Sequence, residues 1–207
     1  MRIHNKLDEL LKNGSKIKIL RFLFSEKDEY TGRAIAKAIN MSASSTYENL
    51  QNLKEEGLIN ARKKGNSILY RIRSENQVVN KLLKPLFEQE KSIYTDIVSL
   101  IKKSISKYKK KITSIVLFGS VAGKEETSKS DIDLLIIIEN NTMRPIINTA
   151  IDKLNIEIAK KFGAALSPYI LTKSEIKQKY NKKQGLIYSI LDNNQLIFGE
   201  PIERIVA

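Results

Sequence analysis

Two aspartates separated by one residue, Asp131 and Asp133, open the apolar run Leu134-Leu135-Ile136-Ile137-Ile138. On a strand, carboxylates at i and i+2 point to the same face with Cα atoms roughly 6.6 Å apart. Two like charges so placed repel unless a cation or hydrogen bonds compensate them, so the pair makes most sense as a grip for one or two divalent cations. A dozen residues earlier, the run Ile112-Thr113-Ser114-Ile115-Val116-Leu117-Phe118 stops at Gly119-Ser120. A glycine at the end of a strand lets backbone approach a phosphate, and Ser120 with the following turn can donate to a triphosphate.

The rest of the inventory narrows the chemistry. The 207 residues contain no cysteine and one histidine, His4. Disulfides, zinc sites of the cysteine or histidine kind, thiol nucleophiles and histidine acid/base chemistry are therefore excluded. Catalysis would have to rest on carboxylates, hydroxyls and lysines. A net charge of +13 suggests a polyanionic partner. Base-composition bias toward lysine and isoleucine is an equal explanation, and both halves of the chain carry the excess. Leu134–Ile138 is far too short to cross a bilayer, and Asp8 and Glu9 stand where a signal peptide would be apolar. The expectation is a cytoplasmic protein with no membrane contact.

The stretch Gly119-Ser120-Val121-Ala122-Gly123, with Ser130-Asp131-Ile132-Asp133-Leu134 after a polar loop, resembles the signature of the minimal nucleotidyltransferases of the DNA polymerase beta superfamily. The resemblance implies transfer of a nucleotidyl group from a nucleoside triphosphate (NTP) to an acceptor hydroxyl. Asp131 and Asp133 would act catalytically by holding Mg²⁺ or Mn²⁺, and Gly119, Ser120 and Lys124 would seat phosphates. Two departures matter. Gly123-Lys124 stands where arginine-glycine is more usual, and Lys124 reads more readily as a plain surface lysine than as a phosphate contact. A third acid normally lies on a later strand, but Ala165-Leu166-Ser167-Pro168-Tyr169-Ile170-Leu171 contains none. Loss of a base commonly costs about 10² to 10⁴ in rate. Glu175 could substitute only if the chain folds back.

The elements around these residues suggest two domains of about 100 residues each. Apolar spacing at Ile17, Leu20, Leu23 and Phe24, at Ile35, Ala36 and Ile39, and at Thr46, Leu50 and Leu53 predicts three short helices capped by Ser15, Thr31 and Ser42. Asn40-Met41 is a tight link between the second and third, as in helix-turn-helix. Gly57 ends the third helix in a left-handed conformation, and strands Leu58–Arg62 and Ser67–Ile72 flank a turn Lys63-Lys64-Gly65-Asn66. From Met41 to Ile59 the chain resembles winged-helix regulators of the MarR and ArsR kind. That resemblance implies double-stranded DNA as partner, with Ser42, Ser44, Ser45, Thr46 and Tyr47 in the major groove and Arg62, Lys63 and Lys64 on phosphate or minor groove. Against it, serine and threonine at a helix start commonly serve only as caps, and Tyr47 could pack in the core.

Residues 1–73 are thus read as a winged helix, 74–110 as a helical connector that Pro85 kinks or divides, and 111–207 as the nucleotidyltransferase-like domain. The class is α+β with a mixed second sheet. The connector stripe of Val78, Val79, Leu82, Leu83, Leu86, Ile93, Ile97, Leu100, Ile101 and Ile105 serves a homodimer seam or internal packing. The cluster Lys102, Lys103, Lys107, Lys109, Lys110 and Lys111 reads as a solvated face or a phosphate contact. Pro145 begins a helix that closes near Gly163, a strand follows around Ala165–Leu171, and Gly185–Ile197 reads as helix and short strand before a turn at Phe198–Pro201. The expected function is a DNA-binding regulator with a nucleotide- and Mg²⁺-binding domain of little or no turnover. The alternative is an active nucleotidyltransferase acting on a small molecule or protein, including an antitoxin-like enzyme with a toxin-like protein partner.

Overall fold

The computed structural model describes residues 7–26 and 28–207, with the side chain of Glu9 excepted; His4 lies outside the described residues. The chain divides into two compact units, the first ending at Ser92 and the second beginning at Ile93.

In the first unit, α1 (Asp8–Lys12) leads into α2 (Gly14–Ser25), β1 (Tyr30–Thr31), α3 (Gly32–Ala38), α4 (Ala43–Glu55), β2 (Ile59–Lys64) and β3 (Ser67–Ile72). The three expected helices are α2, α3 and α4. Thr31 caps α3 through Ala34 N–H and Ser42 caps α4 through Ser45 N–H. The cap of α2 is Asn13 rather than Ser15: its side chain accepts from both Ser15 and Lys16 N–H, and Ser15 is already helical. Gly57, at φ 73°, turns the chain out of α4. β2 runs two residues further than expected, because Lys64 pairs with Ser67 across the two-residue turn Gly65-Asn66. β1 adds a third strand by pairing antiparallel with β3. The core joins Leu20 and Leu23 of α2, Ile35 of α3, Leu50 and Leu53 of α4, and Tyr70 of β3. Each such buried side chain contributes about 1.5–3 kcal/mol. This is a winged helix.

The connector does not form a body of its own. A wide π-type turn, Val79–Leu83, runs directly into α5 (Lys84–Ser104), and Pro85 lies immediately after it, as the second residue of α5. Val79, Leu83 and Phe87 belong to the core of the first unit, whereas Ile101 and Ile105 belong to that of the second. One continuous amphipathic pattern is thus shared between two cores.

The second unit follows as a 3₁₀ turn (Ser106–Lys111), β4 (Ile112–Phe118), α6 (Gly119–Gly123), β5 (Ile132–Ile138), a short 3₁₀ turn (Asn141–Met143), α7 (Arg144–Phe162), β6 (Leu166–Thr172), α8 (Lys173–Asn181), α9 (Gly185–Asp192), β7 (Asn194–Gly199) and α10 (Ile202–Val206). The sheet order is β6-β5-β4-β7, with β5 and β6 parallel and the other pairs antiparallel. It is a mixed sheet. Ile132, Leu134, Ile136 and Ile138 face α7 and the end of α5, while Leu135 and Ile137 face α8, α9 and α10. Asp133 shares the second face by the two-residue alternation of a strand. No described helix is long and apolar enough to cross a membrane.

Candidate active site

The site forms where β4 and β5 end side by side. Phe118, the last residue of β4, is paired with Asp133, so the chain leaving β4 turns directly over that aspartate. Gly119 takes φ +71°, and a Cβ there would overlap the Asp133 carboxylate oxygen, with Cγ at 3.2 Å. Any side chain would displace the aspartate; glycine is required by both the backbone angle and the contact. Gly119 then opens α6, and Ser120 follows it in the first turn. Lys124 ends the turn, exposed and left-handed at φ 58°.

Asp133 is half-buried and Asp131 exposed. β5 begins at Ile132, so Asp131 stands immediately before the strand instead of opening it. The approach to it is ordered by Ser130, whose hydroxyl accepts from Thr127 N–H at 2.9 Å. Neither aspartate has a hydrogen bond or ion pair among the described residues. Two carboxylates separated by one residue in the chain, with no protein cation to offset them, fit a divalent cation by the chemistry of the donor set. Among the described residues no cluster of three or more carboxylate, histidine or cysteine ligands exists. The reason is in the sheet: the residue in register with Asp133 on parallel β6 is Ser167.

The model of the polymerase beta nucleotidyltransferase family matches residues 100–203. The chain belongs to this family. A Methanocaldococcus jannaschii protein described as a putative protein adenylyltransferase is 37% identical over 89 residues, covering 42% of this chain and 85% of that protein. Among solved structures, the homodimeric winged helix-turn-helix DNA-binding domain of a Mycobacterium bovis protein is 30% identical, covers 44% of this chain and 77% of that one, and has a TM-score of 0.34. A toxin-antitoxin structure with AMP-PNP is 16% identical, covers 53% and 80%, and has a TM-score of 0.37.

In this chain, Glu175 does not take the place of the missing acid. β6 carries the chain to Thr172, at the end of the sheet opposite Ser167, before α8 begins. There the Glu175 carboxylate accepts from Thr172 N–H at 2.7 Å in a capping box and pairs with Arg144 at 2.6 Å. Burial would raise its pKa, but the Thr172 and Arg144 contacts outweigh that and hold it below the ordinary carboxylate value. Its Oε2 thereby caps α8 and ties that helix to the start of α7.

The winged helix places the DNA candidates unequally. Ser44 is exposed and Tyr47 is 55% exposed on α4, outside the core. Ser45 is half-buried and the Ser42 hydroxyl is engaged as the cap. Thr46 is fully buried, so it cannot reach a groove; its place in the apolar spacing with Leu50 and Leu53 decides its role. Lys63 and Lys64 project from the wing, and neither makes a salt bridge among the described residues. Arg62 is different: its guanidinium forks onto Glu29, with Nη2 at 2.5 Å, and Arg71 approaches the same carboxylate at 3.7 Å. The Arg62 hydrogen bonds hold Glu29 below its ordinary pKa. The sequence offered no signal for this pairing across β1 and the wing.

Proposed function

We propose that this protein is a DNA-binding regulator whose nucleotidyltransferase unit takes an NTP with Mg²⁺ or Mn²⁺ and turns it over slowly. The observation that carries the nucleotide part is Gly119 seated on the Asp133 carboxylate, with Asp131 two residues away and both acids unpartnered. Asp131 and Asp133 would hold the cation. Bound there, it would supply charge stabilisation at the attacked phosphate. The chain's own groups would position the rest: Gly119 and Ser120 present donors to the phosphates, and Lys124 lies at the end of the same turn. Ser167 in register with Asp133 supports the limit on turnover, since a serine hydroxyl is a poor general base near neutral pH.

The DNA part rests on the exposed Ser44 and Tyr47 of α4 and the wing lysines Lys63 and Lys64, which suit a major groove and its flanking phosphates. Leu82, just before α5, and Leu86, on it, are about half exposed and suit a homodimer. DNA and NTP as ligands imply the cytoplasm. Two experiments test the reading: NTP binding and pyrophosphate release with Mg²⁺, and salt-dependent duplex binding with Lys63 and Lys64 replaced.

A second reading is efficient adenylyl transfer to a hydroxyl of a partner protein, including a toxin-like one. It is favoured by the described activity of the M. jannaschii relative. Rapid, Mg²⁺-dependent adenylylation of a protein acceptor, abolished in Asp131→Ala, would establish it over the first.

A further inference from the structure

A helix of five residues cannot satisfy its own carbonyls. In α6 the Ser120 carbonyl accepts from Glu125 N–H at 2.9 Å and the Val121 carbonyl from Lys124 N–H at 3.4 Å. The Ala122 carbonyl is held from outside, by Nε2 of Gln195 at 2.9 Å. Gln195 lies on β7 opposite Leu117, one residue before the end of β4. Its other amide atom, Oε1, accepts a hydrogen bond from the Tyr94 hydroxyl.

The direction of this chain is fixed by chemistry. A carbonyl only accepts, so Gln195 must turn its NH₂ toward Ala122 and its oxygen toward Tyr94, which must donate. Partial burial pushes the Tyr94 phenol above its ordinary value of 10, so it remains a donor at neutral pH. Asn193 packs close against the same turn: a Cβ on Gly123 would meet its amide nitrogen at 2.9 Å. The turn is therefore packed at its far end against Asn193 and Gln195, as it is against Asp133 at its near end.

We propose that Tyr94 and Gln195 are positioning residues for the nucleotide, acting as a relay from α5 that sets the Gly119–Gly123 turn at the height needed by the phosphates. The proposal rests on the reading of that turn, Asp131 and Asp133 as the nucleotide site. It makes nucleotide affinity answer to the placement of α5, through Tyr94.

The test is ATP binding with Mg²⁺ by the full chain, measured for the native protein, Tyr94→Phe, Gln195→Ala, the double variant and Asp133→Asn, alongside the unfolding temperature without nucleotide. The expected result is affinity weakened roughly 3- to 10-fold in Tyr94→Phe, at least as much in Gln195→Ala, and no further in the double variant. Nucleotide-free unfolding of Tyr94→Phe should match the native protein. Native affinity in Tyr94→Phe and Gln195→Ala, with binding lost in Asp133→Asn, would overturn the relay and leave the site reading intact. Additive losses, or a weakened affinity matched by a lower nucleotide-free unfolding temperature, would also overturn it in favour of a structural role. Binding that survives Asp133→Asn, or is absent from the native protein, would remove the site reading and the relay with it.

Discussion

Ser167 stands in register with Asp133 across the parallel β5–β6 pair, on the same face of the sheet. A carboxylate at this position would complete a set of three. Ser167→Asp is therefore expected to raise Mg²⁺-dependent NTP turnover by about 10²-fold. It should also lower stability without divalent cation, because a third like charge joins two unpartnered ones. Pyrophosphate release and thermal unfolding with and without Mg²⁺ measure both. Unchanged turnover would mean that Ser167 does not occupy the place of the base.

Gly119→Ala combines a left-handed backbone with overlap on Asp133. The first costs about 1–2 kcal/mol, and the second displaces the carboxylate. We expect more than about tenfold weaker nucleotide binding and a lower unfolding temperature. Gly163→Ala, where an added Cβ meets nothing within 4 Å, serves as the control. It should show the backbone cost and retain nucleotide binding.

On the winged helix, Lys63→Ala with Lys64→Ala should weaken duplex binding and reduce the slope of log K against log salt by about 1.8, since each phosphate contact contributes about 0.9. Glu29→Gln should do the reverse, because it releases Arg62 and Arg71 from the carboxylate that now holds them. A titration over several salt concentrations distinguishes the two directions. Equal slopes in all three proteins would remove the wing from the interface.

Glu175 links α8 to Arg144 and caps its own helix. Its pKa is lowered in the folded state, so the stability it contributes is complete above its ordinary value of 4.5 and is lost as pH falls below it through the folded value. Glu175→Gln should cost about 0.5–2 kcal/mol at pH 7, and the difference from the native protein should shrink in acid below pH 4.5. Urea unfolding at several pH values checks the sign.

The sequence made the Gly119 turn and the aspartate pair legible, because their chemistry depends on spacing along one chain segment. The three helices of the winged helix and the hairpin were legible from periodicity and turn residues. β1 was not, since Tyr30-Thr31 is too short to show alternation. α8 was missed because Ile176 is its one buried residue, although Thr172-Lys173-Ser174-Glu175 carries the spacing of a capping box. Asn13 and Ser15 are both good caps two residues apart, and only the backbone decides between them. The connector shows one unbroken apolar period, which cannot say that its two halves enter different cores. Likewise, the Arg62–Glu29 and Gln195–Ala122 contacts join residues 33 and 73 positions apart, with no local pattern to announce them.

Asp131 and Asp133 are proposed to form a cation-dependent nucleotide site beneath the Gly119 turn. Its most direct test is calorimetric titration of the native chain, Asp131→Ala and Asp133→Ala with NTP, each with Mg²⁺ and with excess chelator. The native protein should bind NTP only with Mg²⁺, and binding should disappear in both variants. Binding that persists in either variant or in chelator, or no binding by the native protein, would contradict it.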